Sequence, residues 1–253
     1  MSMFEIVFSP TGGTEKVSGL VTGALDGNIV TVDLTDSGLD FHGVSMAKGD
    51  VAVISVPSYA GRVPAVAVER LGMVRGNGAR AVLVCVYGGR AFEDTLIELE
   101  DVAKRAGFRV VAAVSAIAEH SVARQFAAGR PDAQDVAQLS EFAQRIRQKL
   151  LDGAASEPSI PGNRPYKQAG GHSMVPHATE DCVSCGACAA LCPVRAIDKE
   201  DPRQVDGEAC ISCMRCVSVC SQNARKLDPN KLAAVTQMLS KACVERRECE
   251  IFI

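Results

Sequence analysis

The sequence of 253 residues contains no tryptophan and only three tyrosines, so few large aromatic side chains can serve a core or a binding site. It has no apolar run near the roughly 18–20 residues that a membrane-spanning helix requires, and we expect no membrane span. Lys and Arg (27) are outnumbered by Asp and Glu (30), a balance that is unfavourable to nucleic-acid binding. The first residues carry no basic region ahead of an apolar stretch, so we expect a cytoplasmic protein.

Cysteine is nearly absent from the first part of the chain, where Cys85 stands alone in an apolar run. Eight cysteines lie between Cys182 and Cys220, and Cys243 and Cys249 follow near the end. Evenly spread disulfides are typical of small secreted domains, whereas a local cluster without an export signal indicates metal binding. We expect Cys85 to be a buried small hydrophobe. For the last two cysteines we expect unengaged thiols, with a redox pair as the alternative.

Two cysteine runs share the spacing C-x2-C-x2-C-x3-C, and the second repeats the first after 28 residues. This is the spacing of bacterial ferredoxins with two [4Fe-4S] clusters, in which the fourth cysteine of each run binds the other cluster. For cluster one the spacing predicts the ligands Cys182, Cys185, Cys188 and Cys220. For cluster two it predicts Cys210, Cys213, Cys216 and Cys192. A structural zinc site is the alternative, but it prefers two separated cysteine pairs around one ion.

The first 152 residues alternate short apolar runs with helical patterns. The predicted strands are Met3–Ser9, Ile29–Val32, Val51–Val56, Ala81–Val86 and Val110–Ile117. Helices are predicted after the first strand and over Ala65–Val74, Phe92–Ala106 and Asp132–Leu151. The segment 33–50 is short and broken by glycine, so we predict no regular helix there. Alternation of this kind indicates a parallel sheet covered by helices on both faces.

A loop rich in Ser, Thr and Gly joins the first predicted strand to the first helix. Such a loop either cradles a phosphate at the helix N-terminus or forms an ordinary capped turn. Its sequence, Ser-Pro-Thr-Gly-Gly-Thr, resembles the phosphate loop of flavodoxins, which holds the FMN phosphate without a positive side chain. The resemblance implies FMN contacts from Ser9, Thr11, Gly12, Gly13 and Thr14.

Two later loops, after the third and fourth strands, resemble the flavodoxin loops that bracket the flavin ring. The resemblance implies FMN contacts from Pro57, Ser58, Tyr59, Ala60, Gly61 and Arg62, and from Tyr87, Gly88, Gly89, Arg90 and Phe92. Gly61 is similar to the flavodoxin glycine whose carbonyl responds to the flavin redox state. The charges of Arg62 and Arg90 either favour anionic reduced flavin or are paired on the surface. Because no tryptophan can stack on the ring, we expect a more open flavin site than in flavodoxins.

Taken together, these motifs resemble the flavodoxin–ferredoxin fusion family. The resemblance implies an α/β, flavodoxin-like FMN-binding domain over 1–152, with a doubly wound five-stranded parallel sheet in the order 2-1-3-4-5. It further implies a small α+β bacterial 2[4Fe-4S] ferredoxin domain over 177–228. Pro and Gly between them predict a linker of limited order over 153–176. The remaining residues, 229–253, are expected to form a helix and an apolar tail that docks on a domain surface.

The expected function is electron transfer, in which single electrons pass between two [4Fe-4S] clusters and FMN and link one- and two-electron redox partners. One alternative is an FMN/iron–sulfur oxidoreductase that reduces a small substrate, with Arg62, Arg90 and His120 as its polar side chains. A redox sensor is another. We expect redox proteins as partners and no nucleic acid. The sequence leaves open a homodimer, and whether clusters and flavin meet within one chain.

Overall fold

The computed structural model describes residues 2–25, 28–153, 156–170 and 174–253. The strands are β1 (Met3–Val7), β2 (Ile29–Asp33), β3 (Val51–Pro57), β4 (Arg80–Tyr87), β5 (Arg109–Ile117), β6 (His177–Ala178), β7 (Arg225–Lys226) and β8 (Glu250–Phe252). The helices are α1 (Gly13–Gly23), α2 (Ala65–Met73), α3 (Thr95–Arg105), α4 (Ala133–Leu151), α5 (Ala187–Ala190), α6 (Arg215–Ser218) and α7 (Pro229–Ala242). Within these ranges no helix has the length and apolar character needed to cross a membrane.

The large sheet has the strand order β2-β1-β3-β4-β5-β8. Its first five strands are parallel, and their order is the doubly wound 2-1-3-4-5 order of flavodoxin-like sheets. The predicted fold class is therefore confirmed. The sixth strand is a difference, because β8 from the C-terminal tail pairs antiparallel with β5. The tail docks on the first domain by covering an open sheet edge, which would otherwise present unpaired backbone groups.

Both faces of this sheet are buried, which explains why its central strands are nearly continuous apolar runs. On one face α1 and α4 pack through Val17, Val21 and Leu139. On the other face α2 and α3 pack through Leu71 and Leu99. Between β2 and β3 the chain forms only a short 3-10 turn, in agreement with the prediction of no regular helix there. The loops that follow β1, β3, β4 and β5 therefore meet at one edge of a rigid sheet.

The cysteine-rich region folds as two copies of one unit, and the copies are related by the 28-residue repeat. Helix α6 begins 28 residues after α5. The loops before these helices share a left-handed backbone at Ser184 and Ser212 (φ 51° and 53°) and at Gly186 and Met214 (φ 76° and 63°). Only glycine adopts this conformation without strain, so Met214 holds a costly conformation that the shared loop geometry imposes. Strands β6 and β7 pair antiparallel beside the two copies.

Three arginines join the cysteine-rich unit to the first domain, and each donates to a backbone carbonyl across the boundary. Arg70 Nη2 donates to the Pro193 carbonyl at 2.5 Å, and Arg215 Nη1 donates to the Pro10 carbonyl at 3.1 Å. Arg195 Nη2 donates to the carbonyl of Ser37 at 2.6 Å. The two parts of the chain therefore share a polar interface.

The described part of the predicted linker lies against α3, contrary to the expectation of limited order. Asp94 accepts hydrogen bonds from the backbone amides of Asn163 (2.8 Å) and Lys167 (2.7 Å). Arg164 pairs with Asp101 at 2.7 Å, and the Tyr166 hydroxyl donates to the same carboxylate. Pro and Gly content reports the lack of regular secondary structure, but it does not report these side-chain contacts.

Candidate functional site

A cleft of about 330 Å³ lies at the carboxyl-terminal edge of the large sheet, where doubly wound sheets bind ligands. Its walls come from the loops after β1, β3, β4 and β5, and from the linker, the cysteine-rich unit and α7. The lining residues are Pro10, Thr11, Gly13, Thr14, Pro57, Ser58, Tyr59, Ala60, Gly61, Val86, Tyr87, Gly88, Arg90, Ala91, Ala118, Glu119, His120, Ser121, Val122, Gly170, Met174, Ile211, Ser212, Val235, Met238 and Leu239. Eleven of the sixteen residues predicted to contact FMN are in this set.

The loop after β1 presents the N-terminus of α1 to the cleft. Gly12 is the N-cap residue with φ 85°, and as a glycine it has no side chain that could cap the helix. A Cβ at Gly13 would lie 3.2 Å from the Cβ of Ala118, so the glycine lets the loop approach the end of β5. Ser9 is buried, and its Oγ accepts from the Glu15 amide at 2.9 Å. The N-terminus of α1 fits a phosphate, with Ser9 and Gly12 shaping the loop from outside the cleft.

The loop after β3 is a tight turn that requires glycine at one position. The amide of Tyr59 donates to the Arg62 carbonyl at 3.0 Å, and the reverse bond measures 3.1 Å. Between them Ala60 and Gly61 have φ 52° and 82°. A Cβ at position 61 would lie 1.9 Å from Glu93 Oε2, so the close approach of Glu93 excludes a side chain there. The Gly61 carbonyl accepts from the Asp94 amide at 3.1 Å.

The two arginines predicted near the flavin are both paired, but only one borders the cleft. Arg62 Nη2 lies 2.7 Å from Glu98, and its guanidinium stacks on the Tyr166 ring at 4.9 Å. These contacts place Arg62 outside the set of lining residues. Arg90 lies in the cleft wall and pairs with Glu93 at 2.9 Å. The two interpretations of these charges were stabilisation of anionic reduced flavin and ion pairing on the surface. Ion pairing accounts for the position of Arg62.

Two other predicted residues, Gly89 and Phe92, do not line the cleft. The Phe92 ring packs against Tyr87 with centroids 5.6 Å apart, so it supports a lining residue from behind. Gly89 has φ 92° and shapes the turn that carries Arg90. Both residues would act on a flavin only through their neighbours.

His120 borders the cleft as a neutral imidazole. Its Nδ1 accepts hydrogen bonds from the amides of Val122 and Ala123, both at 3.2 Å. Burial and the nearby Arg90 guanidinium lower the pKa of His120, so the neutral form with its proton on Nε2 is favoured. The ring covers Gly88 so closely that a Cβ there would lie 2.4 Å from it.

The cleft is also bordered by the second cysteine loop, which the sequence does not predict. Ile211 and Ser212, between Cys210 and Cys213, are lining residues. Ser212 Oγ is buried without a hydrogen-bond partner, and such a group is normally satisfied. Burial and the adjacent Cys213 thiol raise the pKa of Tyr59. The phenol of one flavin-type loop thus shares the cleft wall with the residues between two predicted cluster ligands, within one chain.

Helix α7 and the linker form another side of the cleft. Val235, Met238 and Leu239 project from α7, and Met174 belongs to the linker. Flexible methionine side chains pack well on flat aromatic surfaces. A sequence pattern could have suggested α7 as an amphipathic helix, but nothing in the pattern indicates what its apolar side would cover.

The eight clustered cysteines surround two separate cavities, four to each. One is lined by Cys182, Cys185, Cys188 and Cys220. The other is lined by Cys192, Cys210, Cys213 and Cys216. These are the crossed sets derived from the spacing. Among the described residues, no group of three or more His, Cys, Asp or Glu side chains is arranged to hold a single metal ion. Each cavity is lined by four cysteines, which is the number of ligands that one [4Fe-4S] cluster takes.

Matching backbone contacts hold the fourth cysteine of each run. The Ala196 amide lies 3.3 Å from Cys192 Sγ, and the Ala224 amide lies 3.2 Å from Cys220 Sγ. The two cavities differ in depth, since Cys185 is exposed whereas Cys213 is buried and burial raises its pKa to about 11. Cluster one would therefore lie nearer to solvent, and cluster two nearer to the cleft.

The remaining cysteines are free thiols in the structure. Cys85 is fully buried in β4, as expected. Cys249 is buried beneath β8, and burial raises its pKa to about 11. Cys243 ends α7 and is half-buried. None of the three lines the cleft or either cysteine cavity.

Comparison with known proteins supplies a family for the second part of the chain. Residues 156–237 match the family model described as "4Fe-4S dicluster domain". No curated protein sequence matches the chain. Among solved structures, a flavodoxin from Streptococcus pneumoniae TIGR4 is 21% identical, with 58% of this chain and 99% of that chain covered and a TM-score of 0.41. Oxidised Flavodoxin 2 from Bacillus cereus is 16% identical, with 59% and 99% covered and a TM-score of 0.44.

Proposed function

Since the chain is a flavodoxin–ferredoxin fusion in its architecture, we propose that it is an electron-transfer protein that passes single electrons between two [4Fe-4S] clusters and FMN. The observation that carries the proposal is the shared wall between the two parts. Ile211 and Ser212, from the loop that would hold cluster two, line the same cleft as Tyr59 and Gly61. Short distances between redox centres are what an electron carrier requires of its fold.

The cleft is suited to FMN from both ends. At one end the N-terminus of α1, with Thr11, Gly13 and Thr14, would hold the phosphate. Arg215 reaches this loop from the cysteine-rich unit by donating to the Pro10 carbonyl, and its Nε is buried without a partner. Flavodoxin loops hold the phosphate without a positive side chain, so an arginine supplied by the second domain is a specific feature of this chain.

At the other end, the loops after β3 and β4 would hold the flavin ring. The residues assigned to this role are Pro57, Ser58, Tyr59, Ala60, Gly61, Tyr87, Gly88 and Arg90. Met174, Met238 and Leu239 would exclude water from the exposed side of the ring. His120 would offer an Nε2 proton to a flavin heteroatom while its Nδ1 stays bound to backbone amides.

The two cysteine cavities support an order for the redox centres. When bound, FMN accepts one or two electrons while each cluster exchanges one, which allows one- and two-electron partners to be linked. Cys185, exposed at the cavity of cluster one, marks the side that an external redox protein can approach. Cys213, buried next to the cleft-lining Ser212, marks the side that faces the cleft. The order we propose is external partner, cluster one, cluster two, flavin.

A flavin-dependent reductase is the alternative, and the structure offers it few side chains. Arg62 is engaged with Glu98 and does not line the cleft, and Arg90 is paired with Glu93. His120 is then the remaining member of the three polar residues assigned to that role. We therefore favour the electron carrier over the reductase, and over a sensor for which the described residues supply no specific feature.

The test is the cofactor content and internal electron transfer of anaerobically purified protein. We expect about eight iron and one FMN per chain. In a reductive titration followed by EPR and flavin absorbance, clusters and flavin should equilibrate within one chain at high dilution. Protein that contains only zinc, or whose clusters and flavin exchange electrons only on concentration, would contradict the proposal. Rapid reoxidation by a metabolite pool, lost in Arg90→Ala, would favour the reductase.

A further inference from the structure

Arg225 is a fully buried cation next to a predicted cluster ligand. It is 2% exposed and is the largest of the fully buried side chains. Its Nη2 lies 3.4 Å from Cys188 Sγ. The other acceptors around it are backbone carbonyls, namely Pro176 at 3.5 Å and Pro202. Among the described residues no carboxylate pairs with it, although the chain is rich in Asp and Glu.

Burial of such a group without a counter-charge is unfavourable. Arginine stays protonated in proteins, and an isolated ion in a protein interior costs several kcal/mol unless an opposite charge or strong hydrogen bonds compensate it. Carbonyl dipoles and a neutral thiol supply only part of that compensation. A cubane held by four thiolates is an anion, and it becomes more negative when it is reduced. The missing negative charge is therefore the one that cluster one would bring.

We propose that Arg225 is the internal counter-ion of cluster one and raises its reduction potential, an inference that rests on the proposed binding of that cluster. Charge and hydrogen bonding at the cysteine sulfurs are the protein's means of setting such potentials. Arg225 supplies both to Cys188. Its effect is larger on the reduced cluster, which carries the additional negative charge.

The internal repeat gives cluster two no counterpart of this contact. Position 225 corresponds to position 197 in the first copy (225 − 28), where the residue is Ile197, 4% exposed. Arg225 lines the cavity of cluster one, and Ile197 lines the cavity of cluster two. Arg215 also borders the second cavity, but its guanidinium reaches the Pro10 carbonyl rather than a sulfur. The two clusters are therefore made inequivalent by one substitution within the repeat.

The test compares Arg225→Gln and Arg225→Lys with Arg203→Gln as the matched control. Arg203 is exposed and donates to the Cys182 carbonyl at 2.8 Å, so its charge lies near the same cluster but is screened by water. Each holo-protein is titrated anaerobically and followed by EPR. In Arg225→Gln we expect one of the two cluster reduction steps to become at least tenfold less favourable, which corresponds to about 59 mV for one electron. Lysine should retain part of the effect, and the control should match the wild type.

Two results would overturn the inference: unchanged cluster steps in a fully loaded Arg225→Gln protein, or equal shifts of both steps. If Arg225→Gln does not assemble its clusters, pulsed EPR of reduced wild-type protein with isotopically labelled arginine replaces it. There we expect a nitrogen coupling that is lost in Arg225→Lys, and its absence from the wild type would refute the contact. Failure of the proposed function itself would appear earlier, as wild-type protein without iron.

Discussion

The crossed assignment of cysteines can be tested with two substitutions that the repeat makes equivalent, Cys192→Ala and Cys220→Ala. Each removes the last cysteine of a run, and each sulfur accepts a backbone amide at nearly the same distance, 3.3 and 3.2 Å. The local damage is therefore matched. Because Cys192 lies in the cavity of cluster two and Cys220 in that of cluster one, the two variants should lose different clusters.

Only the loss of cluster two should change the affinity of the protein for FMN. Iron should fall from about eight to about four in both variants. In Cys192→Ala the loop that carries Ser212 and Arg215 loses its anchor, and with it the bond from Arg215 to the Pro10 carbonyl. A hydrogen bond with a charged donor contributes about 1.5–3 kcal/mol, and 1.4 kcal/mol is a factor of ten in Kd. We expect FMN to bind at least about tenfold more weakly in Cys192→Ala and nearly normally in Cys220→Ala.

The assay combines iron and sulfide analysis with anaerobic fluorescence titration of FMN. EPR of the reduced variants shows whether a single type of cluster remains and whether it differs between them. Equal FMN affinities in the two variants would refute the argument that cluster two borders the flavin. Weaker FMN binding in Cys220→Ala with normal binding in Cys192→Ala would refute the crossed ligand sets, because each variant would then have lost the cluster held by the other three cysteines of its own run.

Three further predictions concern the cleft and the tail. Gly61→Ala should lower the free energy of unfolding by about 1–3 kcal/mol, because φ at this position is 82°. The control Gly72→Ala, inside α2, should change the free energy of unfolding by under about 1 kcal/mol. Equal denaturation midpoints of the two variants would contradict this prediction. Met238→Ala should weaken FMN binding several-fold, from the loss of about 1 kcal/mol of apolar cover, and increase quenching of flavin fluorescence by iodide. The Arg246 guanidinium lowers the pKa of Asp132, so their pairing stabilises the docked tail above about pH 4 and is lost as the pH falls through the lowered pKa. The protection of the β8 amides, measured as the exchange rate relative to the intrinsic rate at the same pH, should therefore fall in acid, and already at neutral pH in Asp132→Asn; unchanged protection in that variant would count against the pairing.

Much of the local organisation could be predicted from residue patterns. Apolar runs locate β1 to β5 within a few residues because a strand buried on both faces requires continuous apolar side chains. Residue patterns do not predict β8, because this strand is only three residues long and gains its conformation from pairing with β5. Arg62 illustrates the same limit for side chains. Its position in a flavin-type loop suggests a ligand contact, whereas the carboxylate of Glu98 and the ring of Tyr166 hold it elsewhere.

Composition alone also does not predict which segments of the chain line the cleft. The absence of tryptophan suggests a more open flavin site. A single sequence does not show, however, which distant segments of the chain line that site. Val235, Met238 and Leu239 follow the phosphate loop by more than two hundred residues, and only the folded chain brings them to the same wall. These three side chains line the cleft only because the chain after the cysteine-rich unit returns to it as α7.

The sequence by itself determines the chemistry of this protein, because thiolate ligands for a cubane must follow one another at a spacing that a short loop can wrap. The same reasoning applies to the phosphate loop, whose glycines and hydroxyls act within six consecutive residues. What the tertiary structure decides is the relation between the centres. Ile211 and Ser212 share the cleft wall with Tyr59, Arg215 reaches the predicted phosphate loop, and Arg225 faces Cys188. Each pair joins parts of the chain whose distance apart in sequence carries no record of their proximity.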